Sequence, residues 1–197
     1  MAQTRKPALR AVDSNAPVYQ LRVEPLYLKP AIWRQVLVPG SIKLAKLHRV
    51  FQWSMGWEEE HVHEFVFGDI RYGQPYPDFL SDPPMLNEAR VPLTQALGAL
   101  KSFTYGYDFG DNWEHQVKIE KILSPDPKLR LPLCLAGRNA CPPEDVGGPP
   151  GYIEFLEAIN DPSHEDHEQM LEWCGGSFDP DAFDLNAVNQ RFSDIKL

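Results

Sequence analysis

From residue 19 apolar and polar positions alternate, Tyr19, Leu21 and Val23 against Gln20, Arg22 and Glu24. A period of two turns the apolar side chains to one face and predicts a half-buried strand. Pro25 has no N–H for a ladder, which predicts an edge position or a bulge there. Ala31 to Val38 predicts a second strand, closed by Pro39-Gly40. The period then lengthens: Leu44, Leu47, His48 and Phe51 fall at i, i+3, i+4 and i+7, predicting a helix with Ser41 as its cap and Gly56 past its end. His61 to Phe67 predicts a third strand, turned by Gly68-Asp69 into Ile70-Arg71-Tyr72.

Residues 73–92 are rich in Pro, Asp and Gly and predict a long surface loop, followed by a short helix over Leu93 to Leu100. Phe103–Asp108 and Trp113–Leu123 flank Phe109-Gly110-Asp111-Asn112, the pattern of a β-hairpin with a glycine-containing loop. In its second arm Trp113, His115, Val117 and Ile119 share one face. Residues 141–151 are too turn-rich for a regular element. The C-terminal third, about 151–192, reads as helical. Tyr152, Phe155, Leu156 and Ile159 form a stripe, and Ser163 to Asp166 resembles a capping box opening a helix through Trp173. Gly175-Gly176 ends that helix, and Asp184 can cap a last one carrying Leu185, Val188 and Phe192. This order predicts an α+β fold: an antiparallel or mixed β-sheet with helices packed on one face and a C-terminal helical segment. Residues 1–16 lack periodicity and predict a flexible N-terminal arm, leaving 17–197 as a single α+β domain.

With 43% hydrophobic residues among 197, the chain has material for a core, and its 19 prolines favour short elements. No apolar run approaches the roughly 18 residues of a membrane span. Met1 to Pro7 carries positive charge with no apolar stretch behind it, unlike a secretory signal. The expectation is a cytoplasmic protein with no membrane partner. Three cysteines, Cys134, Cys141 and Cys174, cannot close a disulfide framework and lack CxxC spacing.

The net charge of −9 is unevenly spread. Residues 1–50 hold nine Lys/Arg against Asp13 and Glu24, while the rest holds ten basic and twenty-six acidic side chains. Phosphate would be repelled by most of such a surface. Any nucleic-acid contact is therefore expected through Arg5, Lys6, Arg10, Lys43, Lys46 and Arg49.

Four features can carry chemistry. His61 and His63, two apart on a predicted strand, would project from one face and offer two imidazoles to a metal. Asp108, Asp111 and His115 cluster around the tight turn beside Trp113, a set suited to a cation or to acid–base work. Each has a plain structural use too: Asp111 can accept turn N–H groups, and His115 can sit in the core. Cys141, Glu144 and Asp145 stand in a Pro- and Gly-framed loop able to line a cleft. The divalent-metal candidates are His61, His63, Asp108, Asp111 and His115. His164 and His167 read as an exposed acidic helix end. Asp108-Phe109-Gly110 matches a kinase tripeptide, but no catalytic loop or Gly-rich nucleotide loop accompanies it.

Taken in order, Ile32-Trp33-Arg34, Met55-Gly56-Trp57, His61-Val62-His63-Glu64-Phe65, Tyr107 to His115, Cys141 to Gly148, and Gly151-Tyr152 resemble the pRiA-plasmid Orf-three-like family over about residues 17–192. The resemblance implies a compact α+β domain found on plasmids and as an insertion-sequence passenger, sometimes labelled resolvase-like, and it transfers no catalytic residue. The resolvase label fits poorly, because residues 144–197 hold thirteen Asp/Glu against Arg191 and Lys196. Two readings follow. One is a non-catalytic accessory or interaction domain meeting a protein partner or the nucleic acid of a mobile element. The other is a metal-dependent hydrolase, of phosphodiesters for instance, using the His/Asp/Glu cluster.

Overall fold

The computed structural model describes residues 16–75 and 84–197. The predicted arm, with Arg5, Lys6 and Arg10, lies outside the described residues except for Ala16. In chain order the elements are β1 (Val18–Pro25), β2 (Trp33–Pro39), α1 (Leu44–Met55), β3 (His63–Phe67), β4 (Ile70–Gly73), β5 (Leu86–Asn87), α2 (Leu93–Leu97), β6 (Ser102–Tyr107), β7 (Trp113–Leu123), β8 (Leu133–Arg138), α3 (Gly148–Asn160), α4 (His167–Trp173) and α5 (Leu185–Phe192). The strands form one mixed sheet in the order β5-β4-β3-β6-β7-β1-β2-β8, antiparallel except between β4 and β5. This is the predicted α+β architecture, with a helical C-terminal part.

One sheet face is apolar and carries α1. Leu44, Leu47, Val50 and Phe51 are buried there, and Phe51 packs against Phe65, Phe103 and Tyr105. Burying a side chain like Phe51 stabilises the fold by roughly 1.5–3 kcal/mol. On the opposite face polar side chains pair across strands. Gln20 and Gln35 both donate to Glu120, and within β1 Arg22 pairs with Glu24.

Several local expectations give way to tertiary partners. β1 is an interior strand, paired with β2 and β7; Pro25 stands at its last position and the bulge falls at Gln20/Leu21. Ser41 does not cap α1. The cap position is Lys43, and the Leu44 N–H donates to the Val91 carbonyl, so a distant loop satisfies the helix end. No capping box forms at Ser163. Its hydroxyl and N–H both donate to Asp161, and α4 opens only at His167. Asp184 does cap α5, accepting from Asn186 and Ala187, and Gly56 ends α1 in the left-handed region. The expected loop 73–92 contains β5 and a buried Glu88, and β8 arises from a Pro-rich passage that carries no strand signal.

Candidate functional site

Three segments meet at one end of the sheet: the lead-in to β3, the β6–β7 turn and the 141–148 loop. β3 begins at His63, so His61 precedes the strand and the two imidazoles do not share a strand face. His61 Nε2 lies 3.1 Å from Asp145 Oδ1 and 3.7 Å from Asp108 Oδ2. It is buried, yet neither carboxylate is aligned with it as a hydrogen-bond partner. These three ligand atoms all lie within 4.8 Å of one another, forming the one such His/Cys/Asp/Glu group among the described residues.

The chain presents these atoms deliberately. Asp108 adopts φ 52°, in the left-handed region that Asp tolerates better than most residues. Its Oδ1 accepts the N–H groups of Gly110 and Asp111 at 2.9 and 3.3 Å, which leaves Oδ2 facing His61. Asp145 is also left-handed, at φ 61°, and its side chain is 65% exposed. Asp111 does not hold its own turn, the role expected from sequence. Its carboxylate reaches across to accept the Gly147 N–H at 3.0 Å. A Cβ on Gly148 would sit 2.2 Å from the Asp111 carbonyl oxygen, so this close approach demands glycine. Glu144 completes the clasp, accepting from the Tyr107 hydroxyl and from the Glu58 N–H. Burial, then the Glu144 carboxylate, push the Tyr107 hydroxyl pKa up.

The other expected ligands point elsewhere. His63 Nε2 lies 3.0 Å from both Glu88 carboxylate oxygens, and its ring stacks on His48 at 3.5 Å with planes 5° apart. His48 Nδ1 meets the Tyr105 hydroxyl at 2.8 Å, and Gln52 donates to the same oxygen at 2.8 Å. Burial, with His63 and Arg49 nearby, holds His48 down to about 2. His115 is enclosed by Trp57 and Tyr105; its Nδ1 lies 3.2 Å from the Tyr105 carbonyl, its Nε2 has no protein partner, and burial lowers it to about 4. His63, Asp111 and His115 therefore stand outside the three-residue group, because each faces a partner of its own or the core. Trp113 is buried against Trp57.

Cys141 is buried beside Arg34, which donates to its sulfur at 3.3 Å; burial outweighs that cation and raises the thiol to about 11. A thiol so protonated is a poor nucleophile.

The match to known proteins follows this geometry. The model of the Plasmid pRiA4b ORF-3-like protein family matches residues 17–187. The chain belongs to that family. Uncharacterized protein y4hQ of Sinorhizobium fredii (strain NBRC 101917 / NGR234) is 43% identical over 184 residues, covering 91% of this chain and 93% of its own. A crystal structure of a protein of unknown function, MM3350 from Methanosarcina mazei Go1, superposes with a TM-score of 0.78 at 36% identity, over 87% of this chain and 97% of that one.

In this family member, sequence reasoning missed Glu88 and His48. Glu88 lies in a stretch with no periodic signal, and His48 occupies an ordinary core position of a helix. Of the basic residues expected to meet nucleic acid, Lys43 is exposed, Lys46 half-buried, and Arg49 ion-paired with Glu59 at 2.8 Å. Among the described residues no helix is long and apolar enough to cross a membrane.

Proposed function

We propose that the chain is an accessory or interaction domain of plasmid and transposon type. In this reading a divalent cation on His61, Asp108 and Asp145 locks the 141–148 loop onto the hairpin. The observation that carries the cation is the buried His61 Nε2, set between two carboxylate oxygens without an aligned hydrogen bond. Ligand bonds of about 2.0–2.1 Å in a tetrahedral site place ligand atoms roughly 3.3 Å apart, close to the 3.1 and 3.7 Å from His61 Nε2 to the two carboxylates. One nitrogen and two carboxylates suit Zn²⁺ or Mn²⁺. Support for a non-catalytic role comes from Asp111, Glu144 and Asp108 Oδ1, all engaged in holding backbone or hydroxyl groups.

The hydrolase reading has its own support. Three protein ligands leave coordination positions open, as catalytic sites require. A polar cleft of about 340 Å³, lined by Glu59, Glu60, His61, His63 and Glu88 among others, also opens beside His61. Thermal melts of wild type and Asp145→Asn, each with Zn²⁺, Mn²⁺ or Mg²⁺, test the cation. Stabilisation is expected in wild type alone. No stabilisation by any of the three overturns the cation site. Bis(p-nitrophenyl) phosphate serves as a phosphodiester probe. Metal-dependent turnover that Asp145→Asn abolishes would make the hydrolase reading the leading one.

A further inference from the structure

A cleft of about 530 Å³ lies where α3 faces α4, separate from the polar cleft beside His61. Val146 and Met170, both half-buried, contribute apolar surface to it over the buried Phe155. Trp173 stands at its lip, 47% exposed and edge-on to Phe155 at 5.8 Å. Glu154, Glu157, Glu165 and Asp166 line it as well, joined by Asp145 at the end nearest the candidate cation site. No Lys or Arg lines it.

Two observations indicate a surface built for a partner. None of the seven α4 residues is buried, although so short a helix has little stability of its own and depends on packing. From Asn139 through Gln190 the sequence contains twelve Asp/Glu and not one Lys or Arg. No ion pair with Lys or Arg forms at Glu154, Glu157, Glu165 or Asp166 among the described residues. The chain itself therefore supplies no Lys or Arg to this face, where the basic lining side chain is His164, 4.0 Å from Asp166, and an exposed Trp beside it is a favoured anchor in interfaces.

We propose that the α3–α4 cleft docks a basic, amphipathic segment of a partner protein. Its apolar side chains would rest on Val146, Met170 and Trp173, while its Lys or Arg side chains meet the carboxylate rim. Nucleic acid is the wrong occupant, since its phosphates would face five carboxylates and no Lys or Arg here. The proposal rests on the interaction-domain reading and names the partner's chemistry.

The probe is a fluorescently labelled amphipathic Leu/Lys peptide, followed by anisotropy with the full chain in EDTA. Saturable binding is expected, weakened about tenfold or more by the pair Glu154→Lys and Glu157→Lys, and likewise by Trp173→Ala. Asp69→Lys with Asp126→Lys makes the same change in net charge at a turn and a loop outside the cleft, and should leave binding within about twofold. Replacing the peptide's leucines by serine should also cost about tenfold. If the reversal pair melts early, Glu154→Gln with Glu157→Gln gives the same comparison with milder chemistry. Absent binding, equal loss in both reversal pairs, or tighter binding of a single-stranded DNA oligonucleotide would overturn the proposal. Because the titration excludes metal, its failure alongside an intact metal-induced melting shift removes the docking cleft and leaves the cation site standing.

Discussion

Two groups of histidines and carboxylates draw on neighbouring residues, His63 beside His61 and Tyr105 near Asp108, and differ in how their polar atoms are satisfied. In the first, Glu88, His63, His48, Tyr105 and Gln52 interact in a continuous series: a carboxylate on an imidazole, a stacked ring pair, and a hydroxyl receiving two partners. In the second, His61, Asp108 and Asp145 come from three loops, and the imidazole nitrogen at their centre is left without an aligned bond. Residue type alone does not separate them. Satisfaction does: a complete buried network stabilises one conformation, whereas an incomplete convergence of ligands leaves room for an ion.

The sharpest way to break this contrast is Glu88→Ala. It leaves His63 facing a buried gap, and a loss of about 3 kcal/mol is expected in urea unfolding, with or without metal. A loss below about 1 kcal/mol would mean that the network is ornamental. Tyr105→Phe is milder. It keeps the ring but removes the oxygen shared by His48 and Gln52, and should cost about 1–3 kcal/mol, again regardless of metal.

Acid probes two buried histidines, His48 of the first group and His115 of the neighbouring core. His48 and His115 remain neutral in the folded chain down to about 2 and about 4, while in the unfolded chain they take up protons near 6.5. Between those values the unfolded state binds more protons. Their contribution is therefore complete above about pH 6.5 and declines as pH falls, by up to about 1.4 kcal/mol per pH unit for each. His115→Phe, which also removes the unpartnered Nε2, should flatten the slope of stability against pH between 6.5 and 4 by about one proton. An unaltered slope would show that His115 titrates normally.

The smallest effect is expected in the open group. Asp145→Asn should change apo stability by no more than about 0.5 kcal/mol, because its side chain is mostly exposed and its removal relieves repulsion from Asp108. Its whole effect should appear in the metal-induced shift. A large apo loss would place Asp145 with the structural clasp of Asp111 and Glu144 instead.

Much of the fold was legible because periodicity reports burial locally. Trp113, His115 and Val117 are buried and alternate with less buried polar side chains as their spacing demands, and Asp184 caps α5 as its position before Leu185 suggests. The caps expected at Ser41 and Ser163 are absent for one reason. A side-chain cap competes with any other acceptor or donor in reach, and Val91 and Asp161 come within reach only on folding or through a local turn. Of the candidate site, residues His61, Asp108 and Asp145 were all named from sequence, but so were His63, Asp111 and His115, which face other partners.

By itself the sequence determined the α+β class, the acidic C-terminal third and the segments rich in ligand-type side chains, because composition and period are properties of neighbours along the chain. Only the tertiary structure decided which ligands converge, that His63 turns to Glu88 and that Asp111 reaches Gly147. Those choices depend on separations across the 141–148 loop, the hairpin and the entry to β3, and on which polar atoms burial leaves unsatisfied. Neither quantity exists until the sheet has closed around α1.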